Sequence, residues 1–174
     1  MIEKFSINDF EKIYKIMENS FPLTEFRPKH EQLALFDNAN YSVHGIRENG
    51  EIITIAAVWN FESIMFIEHL ATAIEKRNQG LGKELLNELI NSTDKTVCLE
   101  VDPPENELTR RRIAFYERCG MHFNSYPYIQ PSITKGKKPI PLFIMTSRSE
   151  IDEDKFQFIK QLLYKYVYKT EQPI

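Results

Sequence analysis

The feature that most narrows what this chain can fold into is a change of hydrophobic period around two closely spaced glycines. Up to Thr72 the apolar residues run in the manner of strands. From Leu81 onward, Leu81, Leu85, Leu86, Leu89 and Ile90 share one helical face, opposite Lys83, Glu84, Asn87 and Glu88. Between the two patterns lies Arg77-Asn78-Gln79-Gly80-Leu81-Gly82-Lys83. The chain has six glycines in 174 residues, and two of them sit one residue apart at this junction. They strip side chains from the turn, so that successive backbone N–H groups can face a ligand at the positive end of a helix dipole. A phosphate or pyrophosphate is the anion that best suits such a turn. Spacing excludes two common phosphate loops. A Walker loop needs Ser or Thr after the lysine, where this chain has Glu84. A dinucleotide fingerprint needs a small residue where Leu85 stands. The plain alternative is that the glycines only permit a tight turn.

The rest of the pattern places this turn in an α/β chain. Ser6-x-x-Asp9 predicts a capping box ahead of a helix carrying Phe10, Ile13, Tyr14 and Met17. Phe21-Pro22 stops it, and Pro28 starts a short second helix ending near Phe36. Strand character from Tyr41 to Ile46 and from Ile52 to Trp59 flanks Asn49-Gly50, a pair suited to a tight hairpin. A third strand runs from about Ser63 to Ala71. After the glycine turn come a strand at Thr96–Val101, a helix from Leu108 to Cys119 stopped by Gly120, and strand-like pieces near Met121–Asn124 and Ile140–Thr146. Tyr126-Pro127-Tyr128-Ile129-Gln130-Pro131 reads as an ordered aromatic loop. A last amphipathic helix carries Phe156, Ile159, Leu163, Tyr166 and Val167 behind a Ser149-x-x-Asp152 cap. Strands and helices in this order indicate an α/β (α+β) fold with a mixed sheet.

Composition removes several function classes. No apolar run is long enough to span a membrane, and the N-terminus turns polar too soon for a signal peptide. Cys98 and Cys119 form no metal or CxxC spacing and sit among apolar residues. They read as buried core thiols in a reducing, cytoplasmic compartment, and no metal site is expected. The net charge of −3 conceals an asymmetry. From Leu108 to Arg148 eight basic residues face one carboxylate, Glu117, a local +7 that leaves −10 for the remainder. That segment suits a phosphate, an acidic substrate or RNA, or is simply a solvated face.

A second motif lies downstream of the glycine turn, Phe115-Tyr116-Glu117-Arg118-Cys119-Gly120-Met121. Together with Arg77-x-x-Gly80-x-Gly82 it resembles the signatures of the GNAT superfamily of acetyl-coenzyme A-dependent N-acetyltransferases, over roughly residues 40 to 148. The resemblance implies a GNAT-like three-layer fold, whose mixed central sheet has two splayed parallel strands, with a C-terminal helix added. The expected division is an N-acetyltransferase domain over 1–148 and a helical extension over 149–174 packed on it. It implies acetyl-coenzyme A as cosubstrate. The pantetheine would lie beside Leu70, Ala71 and Thr72, with Thr96–Val101 as the splayed neighbour. The pyrophosphate would meet Arg77, Gln79, Gly80, Leu81, Gly82 and Lys83. Tyr116 would face the thioester sulfur. Two residues depart from the family pattern: Thr109, where many members have Asn, and Met121 in place of Phe.

Acyl transfer to an amine needs a base for the nucleophile and an acid for the departing thiolate. Tyr116 is the acid candidate; its bland reading is a core tyrosine. Glu68 is the base candidate, since a carboxylate interrupting the apolar strand Ile64–Leu70 is expensive to bury. Its bland reading is a structural ion pair. Strict alternation puts His69 on the opposite face, so His69 or water remains the other possible base. Glu100 interrupts a strand in the same way and could attract a cationic acceptor. The expected partner is a small-molecule or peptide amine. Neither a membrane nor a nucleic acid is expected, and a homodimer is compatible with the sequence. The alternatives are a catalytically silent coenzyme A-binding module on the same fold and, more remotely, an RNA-binding domain.

Overall fold

The structure, a computed structural model, describes residues 1–170, so residues 171–174 of the expected C-terminal extension lie outside the described residues. The described residues form two compact units, one over Met1–Lys95 and one from Thr96 onward.

In the first unit β1 (Ile2–Lys4), β2 (Tyr41–Glu48), β3 (Glu51–Asn60) and β4 (Ile64–Thr72) pair antiparallel in that order. The helices are α1 (Phe10–Ser20), α2 (Lys29–Ala34) and α3 (Leu81–Asn91). The expected capping box is present: Asn8 N–H donates to Ser6 Oγ at 3.2 Å and Ser6 N–H to Asp9 Oδ2 at 3.1 Å. One 3-10 turn, Ile7–Asp9, then leads into α1. Phe10, Ile13, Tyr14 and Met17 are all buried on its inner face. In α3 the buried residues are Leu85, Leu86 and Leu89, each worth roughly 1.5–3 kcal/mol of burial. The hairpin turn takes the left-handed values that Asn49-Gly50 suggested, φ 51° and 80°. Strand β1 escaped sequence analysis, because three residues are too few to display a period.

In the second unit β5 (Thr96–Val101), β7 (Ile140–Ser147) and β6 (Met121–Gln130) pair antiparallel in the order β5-β7-β6. Helix α4 (Glu107–Arg118) packs on β5 and β6, and α5 (Glu153–Leu162) packs on β6. Two sequence expectations need correction here. The segment read as an aromatic loop is the second half of β6. A register shift between Asn124 and Tyr128 takes up Pro127, whose missing N–H therefore costs no ladder bond. The cap of α5 is Asp152 rather than Ser149, its carboxylate accepting from Lys155 N–H at 2.9 Å. A π-helical turn, Leu163–Val167, follows α5. Both cysteines are buried thiols, and burial pushes the Cys98 thiol up. No helix among the described residues is long and apolar enough to cross a membrane.

One close approach fixes the β1–β2–β3 corner. A Cβ at Gly45 would lie 2.0 Å from the Thr54 carbonyl oxygen and 2.6 Å from the Phe5 ring. The first obstacle is backbone and cannot step aside. Gly45→Ala is therefore expected to destabilise the chain by about 2–3 kcal/mol, read as a lower urea midpoint at unchanged slope. An unchanged midpoint would contradict the packing described.

Candidate active site

The glycine turn opens α3. Gly80 caps the helix with φ 80° and ψ 0°, and nothing lies within 4 Å of where its Cβ would be. Asn78, two residues earlier, is also left-handed at φ 62°. No side chain caps the helix, and Glu84 N–H bonds back to the Gly80 carbonyl at 3.0 Å. The amides of Leu81, Gly82 and Lys83 thus belong to the first helical turn, where no intrahelical acceptor exists. Such a set of donors fits an anion. The Arg77 side chain braces the turn instead: its Nε donates to Thr72 O at 3.1 Å, and its Nη2 to Ser20 Oγ at 3.2 Å and Asn19 O at 3.4 Å. A guanidinium at the C-terminal end of α1 is favoured by that helix's dipole. Gln79 is exposed. Leu70, Ala71 and Thr72 end β4, paired with Ala56, Ile55 and Thr54 of β3.

Upstream in β4 the ladder with β3 shifts register. Val58 pairs with Ile67 and Ala57 with His69, leaving Glu68 as the extra residue of a bulge. Alternation therefore fails where it was used to separate Glu68 from His69. Glu68 Oε2 lies 4.0 Å from His69 Nδ1, and both side chains are buried, at 2% and 3% exposure. The connection between α1 and α2 supplies their partners. Arg27 Nη1 donates to Glu68 Oε1 at 2.8 Å, its own side chain 5% exposed. Trp59 Nε1 donates to Glu68 Oε2 at 2.9 Å. His69 Nε2 meets the Glu25 carbonyl at 2.8 Å, and the Phe21 ring packs edge-on against the imidazole, centroids 4.9 Å apart. Around this core, Gln32 Nε2 donates to Tyr41 Oη at 2.9 Å, and the Tyr41 and Trp59 rings are 5.2 Å apart.

The electrostatics of the bulge follow from these contacts. Burial alone would raise the Glu68 carboxyl, but Arg27, His69 and the Trp59 hydrogen bond outweigh it and hold the group below its ordinary value. Burial pulls the His69 imidazole below its ordinary value, against opposing pulls from Glu68 and the Glu25 carbonyl. The arrangement is thus an ionised carboxylate beside a neutral imidazole.

In the second unit Tyr116 lies near the end of α4, partly buried, with its ring 5.3 Å from that of Phe115. Burial raises its phenol above the ordinary value despite Arg112, so it keeps its proton at neutral pH. Thr109, the departure from the family pattern, completes a capping box. Thr109 N–H donates to Asn106 Oδ1 at 2.9 Å, and Asn106 N–H to Thr109 Oγ1 at 3.2 Å. Glu100 on β5 accepts from Tyr128 Oη at 2.7 Å, Gln130 Nε2 at 2.6 Å and Tyr168 Oη at 2.7 Å. Tyr168 directly follows the π-helical turn, so this carboxylate ties the C-terminal helix to β5. The arginines of α4 are partly compensated: Arg111 pairs with Glu107 at 2.6 Å and Arg112 with Asp102 at 3.1 Å. Both carboxylates lie just outside the basic Leu108–Arg148 stretch.

The family model for the acetyltransferase (GNAT) family matches residues 10–121. The chain belongs to the GNAT acetyltransferase family. A putative acetyltransferase, YjbC of Bacillus subtilis (strain 168), is 26% identical over 163 residues, covering 91% of this chain and 83% of that protein. A solved putative GNAT acetyltransferase from Bacteroides thetaiotaomicron is 27% identical, with a TM-score of 0.87 over 98% of this chain and 99% of its own. The expected GNAT-like α/β fold, with its C-terminal helix, is therefore the fold of this chain. The PaiA N-acetyltransferase of Thermoplasma acidophilum, solved in complex with coenzyme A, shares the fold at 19% identity, with a TM-score of 0.62 over 86% of this chain and 98% of its own.

The ion pair at the bulge has a stability consequence. Removing one member leaves a buried charge uncompensated, so Arg27→Met should cost about 3–5 kcal/mol, and the double variant Arg27→Met/Glu68→Leu distinctly less. The pH dependence has a definite sign. Glu68 is depressed in the folded state, so its contribution is present above the ordinary carboxyl value of 4.5 and fades as pH falls through the lower folded value. Urea midpoints measured from pH 7 to pH 3 should fall more steeply for the wild type than for Glu68→Gln. Parallel curves would contradict the assignment.

Proposed function

We propose that the chain transfers the acetyl group of acetyl-coenzyme A directly to a primary amine of a small molecule or peptide. The observation that carries this reading is the uncapped, left-handed turn at Gly80, in a chain of the acetyltransferase family. Acetyl-coenzyme A supplies an activated thioester carbonyl and a diphosphate handle. The amides of Leu81, Gly82 and Lys83 would hold the diphosphate, with Gln79 and Gly80 forming the approach. Leu70, Ala71 and Thr72 would offer their backbone to the pantetheine. Arg77 would act by bracing the turn rather than by touching the ligand, because its guanidinium already bonds to Thr72 and α1.

Tyr116 is assigned the acid. A phenol held protonated by burial can give its proton to sulfur as the thiolate departs, and the adjacent Arg112 eases the charge left on oxygen. Glu68, expected from sequence to be the base, is a weak proton acceptor in this setting, since its oxygens accept from Arg27 and Trp59. Its contribution on this reading is a fixed negative charge beside the imidazole.

Ligand-induced stabilisation tests the cosubstrate. At a hundredfold excess over Kd, acetyl-coenzyme A should add about 2.7 kcal/mol, read as a rise in Tm. No rise at millimolar ligand would overturn the proposal. A panel of amines with thiol detection tests the transfer; binding without any turnover would mean a silent coenzyme A module. Tyr116→Phe should lower turnover by roughly 10²–10⁴-fold while the Tm rise persists. Unchanged turnover would remove Tyr116 as the acid.

A further inference from the structure

One polar atom at the β4 bulge is left over. Among the described residues His69 Nδ1 and Gln32 Oε1 are buried without a hydrogen-bond partner, and of the two only the imidazole nitrogen is basic. The opposite ring nitrogen faces a carbonyl oxygen, Glu25 O at 2.8 Å, and a carbonyl can only accept. Nε2 therefore carries the ring proton, and Nδ1 carries a bare lone pair. A buried acceptor without a donor costs on the order of 1–3 kcal/mol, and this one is a basic nitrogen 4.0 Å from the Glu68 carboxylate.

We infer that the Nδ1 lone pair of His69 is the proton acceptor of the transfer, taking the acceptor amine's proton directly or through one water. The inference rests on the acetyl-transfer reading above and deepens it. Three contacts prepare the imidazole for that step. The Glu25 carbonyl fixes the tautomer and the ring plane, as the orienting partner of a catalytic histidine does. Glu68 Oε2, 4.0 Å from Nδ1, faces the positive charge that appears on protonation. Arg27 keeps Glu68 ionised through its 2.8 Å bond, so that the carboxylate stabilises the imidazolium rather than competing for the proton. Two acceptors 4.0 Å apart are also a spacing that one water can span with two hydrogen bonds.

The step balances. An N–H bond of the amine breaks and Nδ1–H forms, while the nitrogen lone pair makes the bond to the acetyl carbonyl carbon. The C–S bond pair leaves with sulfur, which is protonated by Tyr116. The charged groups facing His69 are Glu68 on its own strand and Arg27 from the α1–α2 connection, and they act in opposite directions.

His69→Gln separates the two nitrogens. Its side-chain amide can still donate to the Glu25 carbonyl in place of Nε2–H, but it offers no base at the Nδ1 position. The expected result is a folded protein that keeps the acetyl-coenzyme A-induced rise in Tm and loses about 100-fold or more in kcat. The ascending limb of the kcat/KM pH profile, below the ordinary histidine value of 6.5 in the wild type, should vanish in the variant. Turnover within threefold of wild type, or the same ascending limb, would overturn the inference. A readout independent of turnover is ¹⁵N NMR of the wild-type imidazole at neutral pH, which should find Nε2 protonated and Nδ1 bare. A proton on Nδ1 would overturn the inference even if the variant failed to fold. A wild type that acetylates no amine would instead overturn the acetyl-transfer reading, while the nitrogen spectrum still decides where the ring proton resides.

Discussion

The N-terminal unit is organised around the ion pair between Arg27 and Glu68. Two charges taken out of water cost several kcal/mol each, so a pair at 5% and 2% exposure persists only where its surroundings complete it. Here they do. The bulge in β4 turns Glu68 toward the α1–α2 connection, Trp59 donates to its second oxygen, and Tyr14 Oη donates to the Arg27 carbonyl at 3.4 Å. A connection that would otherwise be a surface loop is thereby tied to the strand it covers. The same bulge brings His69 to the same place, tied to that connection through Glu25. One irregularity in one strand thus sets the position of the loop, the ionisation of the carboxylate and the tautomer of the imidazole.

Most of the element order was legible because the signals were local. The Ser6–Asp9 box, the Asn49-Gly50 turn, the Leu85–Leu86–Leu89 face and the Gly120 stop, left-handed at φ 82°, each follow from residues adjacent in sequence. The failures share a physical origin. Strict period-2 reasoning assumes an unbroken ladder, and β4 and β6 both break theirs. In β6 the break hid a strand behind Pro127. In β4 it brought Glu68 and His69, expected on opposite faces, to the same place. A carboxylate within an apolar strand was a sound signal that something is paired there, but its partner, Arg27, lies 41 residues away. Nothing in the spacing names it. Gly45 is similar: its necessity comes from Phe5 and Thr54 closing on it from neighbouring strands.

The candidate site divides into parts that sequence exposes unequally. Backbone donors at a glycine turn leave a pattern, since only small residues allow them, and the Gly80-x-Gly82 motif was visible at once. Side-chain roles leave less. Arg77 belongs to the motif, yet its guanidinium reaches α1 and the end of β4 rather than lying free for a ligand. Glu100 was suspected of attracting a cation and is instead gripped by two phenols and an amide, which fasten the end of the C-terminal helix to β5. The excess of positive charge along Leu108–Arg148 is also less than a count suggests, because Glu107 and Asp102 neutralise two of the α4 arginines.

On the reading proposed for this member of the acetyltransferase family, the α3 turn holds the diphosphate of coenzyme A on bare backbone amides. A crystal structure of the protein grown with coenzyme A tests it most directly. The expected result is diphosphate oxygens within hydrogen-bond distance of the Leu81, Gly82 and Lys83 N–H groups, with Gly80 still left-handed and Arg77 still turned toward Thr72. Coenzyme A bound with its diphosphate elsewhere, or absent at millimolar concentration, would contradict it.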